Sequence, residues 1–132
     1  MESYKKERDL YPKIFDYFNH YKVHAEEVPF EGRVIDLVFL ASNGVISTVE
    51  AKLRDWRRAL LQATINRLAS DFSYVAVPSN HSSAIDLRLF AQRGVGLLIV
   101  DGRAIDEVRP RRPTFKDPEL VWSLRVATKE RS

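Results

Sequence analysis

Apolar residues recur along the first third of the chain with two different periods. Over residues 4–21 they return every three or four positions, which predicts an amphipathic helix. Residues 22–29 are typical of a short strand, and residues 33–41 are apolar at nearly every position except Asp36. A strand without a polar side is covered on both faces, so this segment is predicted to lie centrally in a sheet.

The pattern continues with alternating strands and helices. The sequence Ser42-Asn43-Gly44 predicts a hairpin turn into a returning strand over residues 45–53. Asp55 is a favourable N-cap for a helix over about residues 56–69, and residues 72–78 predict another strand.

The second half repeats the alternation once more. Residues 81–93 predict a helix that Gly94 ends, residues 95–100 predict a buried strand, and residues 117–128 a final helix. A strand, a helix and a strand at this spacing favour a parallel right-handed crossover. The order α-β-β-β-α-β-α-β therefore predicts an α/β protein with a mixed β-sheet flanked by helices.

Composition limits the class of protein. The chain has 132 residues, of which 45% are hydrophobic, and we expect one domain with a core at about residues 4–101 and a C-terminal extension at residues 110–132. Cysteine is absent, which excludes disulfides, thiolate nucleophiles and zinc ribbons. Apolar stretches are far shorter than the ~18–20 residues that span a bilayer, and we expect a cytoplasmic protein without a membrane segment.

Charge is unevenly distributed along the chain. The formal net charge is +3, and the basic excess lies in residues 55–132, whereas residues 1–54 hold 9 acidic and 8 basic side chains. This distribution indicates a polyanionic partner only weakly, but it concentrates carboxylates in the first part of the chain.

Three polar residues within apolar strands are the candidate chemistry. If residues 42–44 form the hairpin loop, Ala41 pairs with Val45, and this register places Asp36 directly opposite Glu50. Lys52 shares the face of Glu50 because side chains alternate along a strand. Two carboxylates this close repel unless one is protonated or a divalent cation bridges them.

Oxygen ligands without cysteine or histidine favour Mg²⁺ or Mn²⁺ over zinc. Such a metal suits phosphodiester hydrolysis, because it polarises the phosphate and lowers the pKa of a bound water. Lys52 would orient that water or offset charge that builds on the phosphate.

Asp36 followed by Glu50-Ala51-Lys52 resembles the PD-(D/E)xK nuclease superfamily, which includes restriction endonucleases and Holliday-junction resolvases. The resemblance extends over about residues 4–78 and implies a restriction-endonuclease-like fold with an α-β-β-β-α-β core plus an additional helix and strand. It implies a Mg²⁺- or Mn²⁺-dependent endonuclease that acts on DNA. Ile35 stands where many members have proline.

The resemblance also suggests further site residues. Glu7 is similar to a metal-holding glutamate on the first helix of many members, with Glu2, Glu26 and Glu27 as alternatives. Gln62 is similar to a glutamine on the helix after the motif. The main-chain carbonyl of Ala51 is a third expected metal ligand. Small members often pair to cut both strands, so a homodimer is expected by analogy.

Arginines cluster where the second helix begins. The helix dipole favours negative charge at a helix N-terminus, so it does not explain the positive charges of Arg54, Arg57 and Arg58 there. With the free N–H groups of the first turn, these arginines form a candidate phosphate-binding surface. Arg58, Gln62 and Asn66 would form one polar stripe on this helix. The other candidate phosphate contacts are Arg33, Lys5, Lys6 and Arg67.

Other interpretations stay open at this point. The fold could serve as a catalytically silent nucleic-acid-binding module, as an interaction protein in which the polar trio is structural, or as a nuclease acting on RNA. Trp56 and Trp122 are expected in the core rather than as platforms for stacking bases.

Overall fold

A six-stranded mixed sheet organises the computed structural model, which describes residues 4–132. The strands are β1 (Val23–Phe30), β2 (Arg33–Leu40), β3 (Ile46–Ala51), β4 (Phe72–Pro78), β5 (Gly96–Val100) and β6 (Ala104–Val108). The helices are α1 (Tyr11–Tyr17), α2 (Trp56–Asn66), α3 (Leu87–Arg93) and α4 (Pro118–Arg131), with short 3₁₀ turns at Glu7–Leu10 and Ser79–His81.

The strands lie in sequence order across the sheet. β1, β2 and β3 form an antiparallel meander, β4 and β5 continue parallel to β3, and β6 returns antiparallel at the edge. α1 packs on one face of the sheet, and α2, α3 and α4 pack on the other. The predicted mixed α/β architecture is confirmed, and it is consistent with the restriction-endonuclease-like fold.

Two hairpins fix the register of the first three strands. Glu31 and Gly32 both have positive φ, 48° and 79°, which is the geometry of a tight two-residue hairpin turn. In the second hairpin the Ala41 N–H donates to the Val45 carbonyl at 2.9 Å, and the loop is the predicted Ser42-Asn43-Gly44. The predicted pairing of β2 with β3 is therefore confirmed.

Several element boundaries differ from the prediction. The first helix is divided into a 3₁₀ turn and α1, with Pro12 in the first turn of α1. α3 begins only at Leu87, because the Asp86 carboxylate accepts the Arg88 N–H and caps the helix there. β6 was not predicted, since its alternation of apolar and charged residues is that of an edge strand with one solvated face.

α4 covers β1 and β2, and Leu124 is its fully buried contact with the sheet. The prediction for Trp122 was wrong, because its ring is 68% exposed, whereas Trp56 is buried as expected. Leu68, two residues beyond the end of α2, is also 40% exposed. No helix within residues 4–132 has both the length and the hydropathy needed to cross a membrane.

A buried carboxylate ties the C-terminal segment to the sheet. Asp71 accepts the Ile46 N–H at 2.8 Å and ion pairs with Lys116 at 2.5 Å and Arg112 at 3.1 Å. Burial alone would raise the pKa of Asp71, but these donors hold it below its usual value. This cluster fixes the path of the chain into α4.

Candidate active site

The hairpin register brings the two predicted carboxylates together. The β2–β3 pairs run from Leu40 opposite Ile46 to Leu37 opposite Val49, and one further step places Asp36 opposite Glu50. Asp36 Oδ2 also accepts the N–H of Ala51 at 2.9 Å, which ties its side chain to the end of β3. The two carboxylates therefore lie near the C-terminal end of β3, inside the sheet rather than on an edge strand.

Glu50 is a buried carboxylate held by two donors. Its side chain belongs to a residue only 1% exposed, and its Oε2 accepts Asn66 Nδ2 at 2.9 Å and Arg33 Nη1 at 3.4 Å. Burial, reinforced by the nearby Asp36 charge, raises the pKa of Glu50 to about 7 in spite of both donors. The neutral and charged forms are thus close in free energy near neutral pH.

Asp36 shares this environment. Burial raises its pKa above the ordinary value, and the Ala51 N–H opposes that shift because it stabilises the charged form. Lys52 lies close enough to favour the ionised form of Asp36. Within residues 4–132 the Lys52 ammonium makes no ion pair and no hydrogen bond, so it is available to a substrate.

A third carboxylate lies beside Asp36, and it is Glu27, which was predicted from the sequence only as an alternative to Glu7. The β1–β2 register pairs Glu26 with Leu37 and Val28 with Ile35, so Glu27 stands opposite Asp36. Glu27 has a positive φ of 53°, and its charge raises the pKa of Asp36. The Glu31-Gly32 sequence could have favoured Glu27 over Glu7, because a two-residue hairpin turn fixes which β1 residue pairs with Asp36.

Arg33 and Asn66 act together on Glu50. The Arg33 guanidinium was predicted to contact a nucleic-acid backbone, but it turns inward to Glu50, the Gln62 carbonyl and Asn66 Oδ1. Asn66 Oδ1 is thereby occupied by a donor, which directs its amide N–H toward Glu50. Asn66 thus positions Glu50, a role that its place in the polar stripe on α2 did not predict.

The stripe itself is divided by burial. Arg58 is exposed, Asn66 is fully buried, and the Gln62 side chain has a buried Oε1 without a hydrogen-bond partner among residues 4–132. The roles expected of Gln62 and Arg58 toward a substrate stay predictions.

The remaining predicted residues lie before α1 and at the start of α2, except Glu2, which lies outside the described residues. Glu7 lies in the 3₁₀ turn before α1, near enough for its charge to raise the pKa of Asp36. Arg54, Arg57 and Arg58 are exposed where α2 begins, and the Arg57 guanidinium stacks 4.4 Å over the Trp56 ring. In the described part of the chain these three arginines form no ion pair, so no carboxylate there neutralises their charges.

The donor set fits a hard divalent ion. Asp36 Oδ1 and Glu50 Oε1 accept no hydrogen bond from residues 4–132, so each carboxylate keeps one oxygen for a ligand. The same residues contain no group of three or more His, Asp or Glu side chains placed to hold a metal. Such a partial shell suits Mg²⁺, which is usually bound through one or two carboxylates and keeps several waters.

Comparisons with known proteins identify the fold only. No family model matches the chain, and no curated protein matches it. One similar structure is the SPO1766 protein of unknown function from Silicibacter pomeroyi, with a TM-score of 0.70, 21% identity, and coverage of 98% of this chain and 87% of the other.

A second similar structure is an EndoMS–dsDNA complex, with a TM-score of 0.51, 15% identity and coverage of 76% of this chain. This chain matches only 49% of the length of that EndoMS chain. The chain thus shares its architecture with a protein of unknown function and with part of a DNA-bound protein.

Proposed function

We propose that this chain is a metal-dependent nuclease that hydrolyses DNA phosphodiester bonds at Asp36, Glu50 and Lys52. The observation that carries the proposal is the β2–β3 register, which sets Asp36 opposite Glu50, with Lys52 directly after the end of β3. This chemistry requires paired oxygen ligands and a nearby cation, and both are present near the C-terminal end of β3.

Asp36, Glu50 and the Ala51 carbonyl would hold Mg²⁺ or Mn²⁺, and Glu7 is the further carboxylate proposed for the shell. The metal would supply Lewis-acid polarisation of the phosphate and a water of lowered pKa. Lys52 would hydrogen-bond the attacking water or a phosphate oxygen, offsetting the charge that builds in the transition state. Arg33 and Asn66 hold the Glu50 carboxylate in one orientation throughout.

DNA is the proposed substrate on two grounds. A protein of similar fold is bound to double-stranded DNA, and unpaired arginines are exposed where α2 begins. Phosphate contacts of this kind supply affinity without reading the sequence. RNA presents the same phosphates, so it belongs in the test. The homodimer and the cytoplasmic location remain predictions from the sequence.

The test is cleavage of end-labelled single-stranded, duplex and branched DNA, and of RNA, with Mg²⁺ or Mn²⁺ and with EDTA. We expect metal-dependent cleavage of DNA. Asp36→Asn and Lys52→Ala should each lower the rate by about 100-fold or more, since each removes a group that acts on the transition state. Asp16→Asn, an exposed aspartate on α1, is the matched control and should leave the rate unchanged.

Cleavage that survives in Asp36→Asn and Lys52→Ala would reject the assignment. Binding to DNA without cleavage by the wild-type protein, equal with and without metal, would instead favour a catalytically silent binding module. Cleavage of RNA alone would retain the site and replace the substrate.

A further inference from the structure

A basic pocket lies at the other end of the β2–β3 hairpin. It has a volume of about 290 Å³, and its charged lining side chains are Lys22, Arg125 and Lys129, with Ser42 and Leu40 also at its wall. Lys22 precedes β1, whereas Arg125 and Lys129 come from α4. No carboxylate from the described residues lines this pocket.

None of its three cations is neutralised by the protein. Within residues 4–132, Lys22, Arg125 and Lys129 form no ion pair, and Arg125 Nη1 donates only to the Gly44 carbonyl at 3.2 Å. The helix dipole accounts for Lys129 in the last turn of α4. It does not account for Lys22, which another segment brings to the same cavity.

Another pair of neighbouring cations in this protein, unlike those of the basic pocket, is neutralised by a carboxylate. Arg112 and Lys116 also approach each other, but they meet at the buried carboxylate of Asp71. Like charges that converge repel, and an anion between them removes the repulsion. The basic pocket has no such carboxylate in its lining, which leaves its charges for an anionic ligand.

We propose that the basic pocket binds a phosphate group, and that this phosphate belongs to the backbone of the nucleic acid cut at Asp36 and Glu50. Lys22, Lys129 and Arg125 would carry the charge, and the Ser42 hydroxyl would donate a further hydrogen bond. The backbone assignment rests on the proposed function, whereas phosphate binding itself does not.

Geometry supports one ligand for both sites. Leu40 at the pocket wall is four residues from Asp36 on β2, so the pocket and the carboxylates lie toward opposite ends of the same strand. Four residues of strand span about 13 Å. A nucleic-acid strand advances about 3.4 Å per nucleotide along a duplex, so the pocket phosphate would lie about four nucleotides from the cut.

The test measures duplex DNA binding by fluorescence anisotropy in EDTA, over a series of salt concentrations. The pocket variant is Lys22→Gln with Lys129→Gln, two exposed lysines whose loss leaves the core intact. The matched control is Arg88→Gln with Arg103→Gln, which removes two exposed charges from the opposite edge of the sheet. Unchanged circular dichroism verifies that each variant is folded.

We expect weaker binding of every sequence by the pocket variant, and a salt slope that is smaller by about 1, because the contact with the pocket phosphate is lost. The control should retain the wild-type slope. A pocket variant with wild-type affinity and slope would overturn the backbone assignment.

Inorganic phosphate separates the two sources of the ligand. If phosphate raises the melting temperature of the wild type but not of the pocket variant, while DNA binding is unaffected, the pocket holds a free phosphate instead. If the pocket substitutions change neither the affinity for DNA nor the effect of phosphate on the melting temperature, the pocket assignment itself is wrong. A pocket-dependent DNA affinity without metal-dependent cleavage would reject only the proposed nuclease activity.

Discussion

Glu50→Gln is expected to stabilise the metal-free protein at neutral and alkaline pH while it removes nuclease activity. Glu50 is 1% exposed, and its charged form must survive without water beside a second carboxylate. Glutamine has nearly the same shape, carries no charge, and can still accept the Asn66 N–H. The stabilising change therefore falls on a residue proposed to be essential for catalysis.

The magnitude follows from the pKa of Glu50, which is raised from 4.5 to about 7. Below pH 4.5 the group is neutral in both states, and the native protein keeps the full benefit. As the pH rises toward 7 the unfolded chain ionises first, so the free energy of unfolding falls by about 3 kcal/mol, at about 1.36 kcal/mol for each pKa unit. Near pH 8 this corresponds to a melting temperature roughly 10 °C higher for Glu50→Gln.

The assay is urea unfolding in EDTA at pH 5 and at pH 8. The wild type should lose stability between the two, and Glu50→Gln should lose much less. Glu107→Gln, an exposed glutamate on β6, is the matched control and should follow the wild type. Parallel pH profiles of wild type and Glu50→Gln would refute the argument that burial strains this carboxylate.

Three further substitutions test other parts of the structure. Asn66→Ala removes a buried donor to Glu50 and should cost about 1–3 kcal/mol in urea unfolding; no loss would mean that this hydrogen bond is not formed. Asp71→Asn should destabilise the protein at neutral pH by about 1–2 kcal/mol because it removes the charge that pairs with Lys116 and Arg112, and thermal melts at pH 2.5 and 7 should show the difference shrinking in acid, because the pKa of Asp71 lies below its ordinary value and the wild type gains its proton only there. Gly94→Ala should lower the melting temperature by several degrees, since a Cβ there lies 2.7 Å from the Arg67 guanidinium and φ is 71°; an unchanged melting temperature would contradict this packing.

The pairing of Asp36 with Glu50 was predictable because local chemistry determines it. Ser42-Asn43-Gly44 sets the loop length, the loop sets the register, and the register sets which side chains face each other. The same reasoning, applied to Glu31-Gly32, would have placed Glu27 opposite Asp36. A hairpin turn is thus a strong source of information about distant side chains.

Contacts between separate elements were less predictable. From the sequence, Arg33 is expected to be a surface cation. Only the packing of α2 on the sheet shows that it contacts Asn66 and Glu50. Periodicity located α4 but did not determine which side faces the sheet, so Trp122 was misplaced. β6 was missed because one of its faces is solvated and its hydrophobic pattern is short.

The metal site is the central claim, and Mn²⁺ binding tests it most directly. Electron paramagnetic resonance measures free Mn²⁺ as protein is added, and the Asp16→Asn variant serves as a control for nonspecific binding. We predict saturable binding by the wild type that is lost in Asp36→Asn and in Glu50→Gln. Wild-type protein that leaves all Mn²⁺ free, or variants that bind it as well as the wild type, would contradict the account.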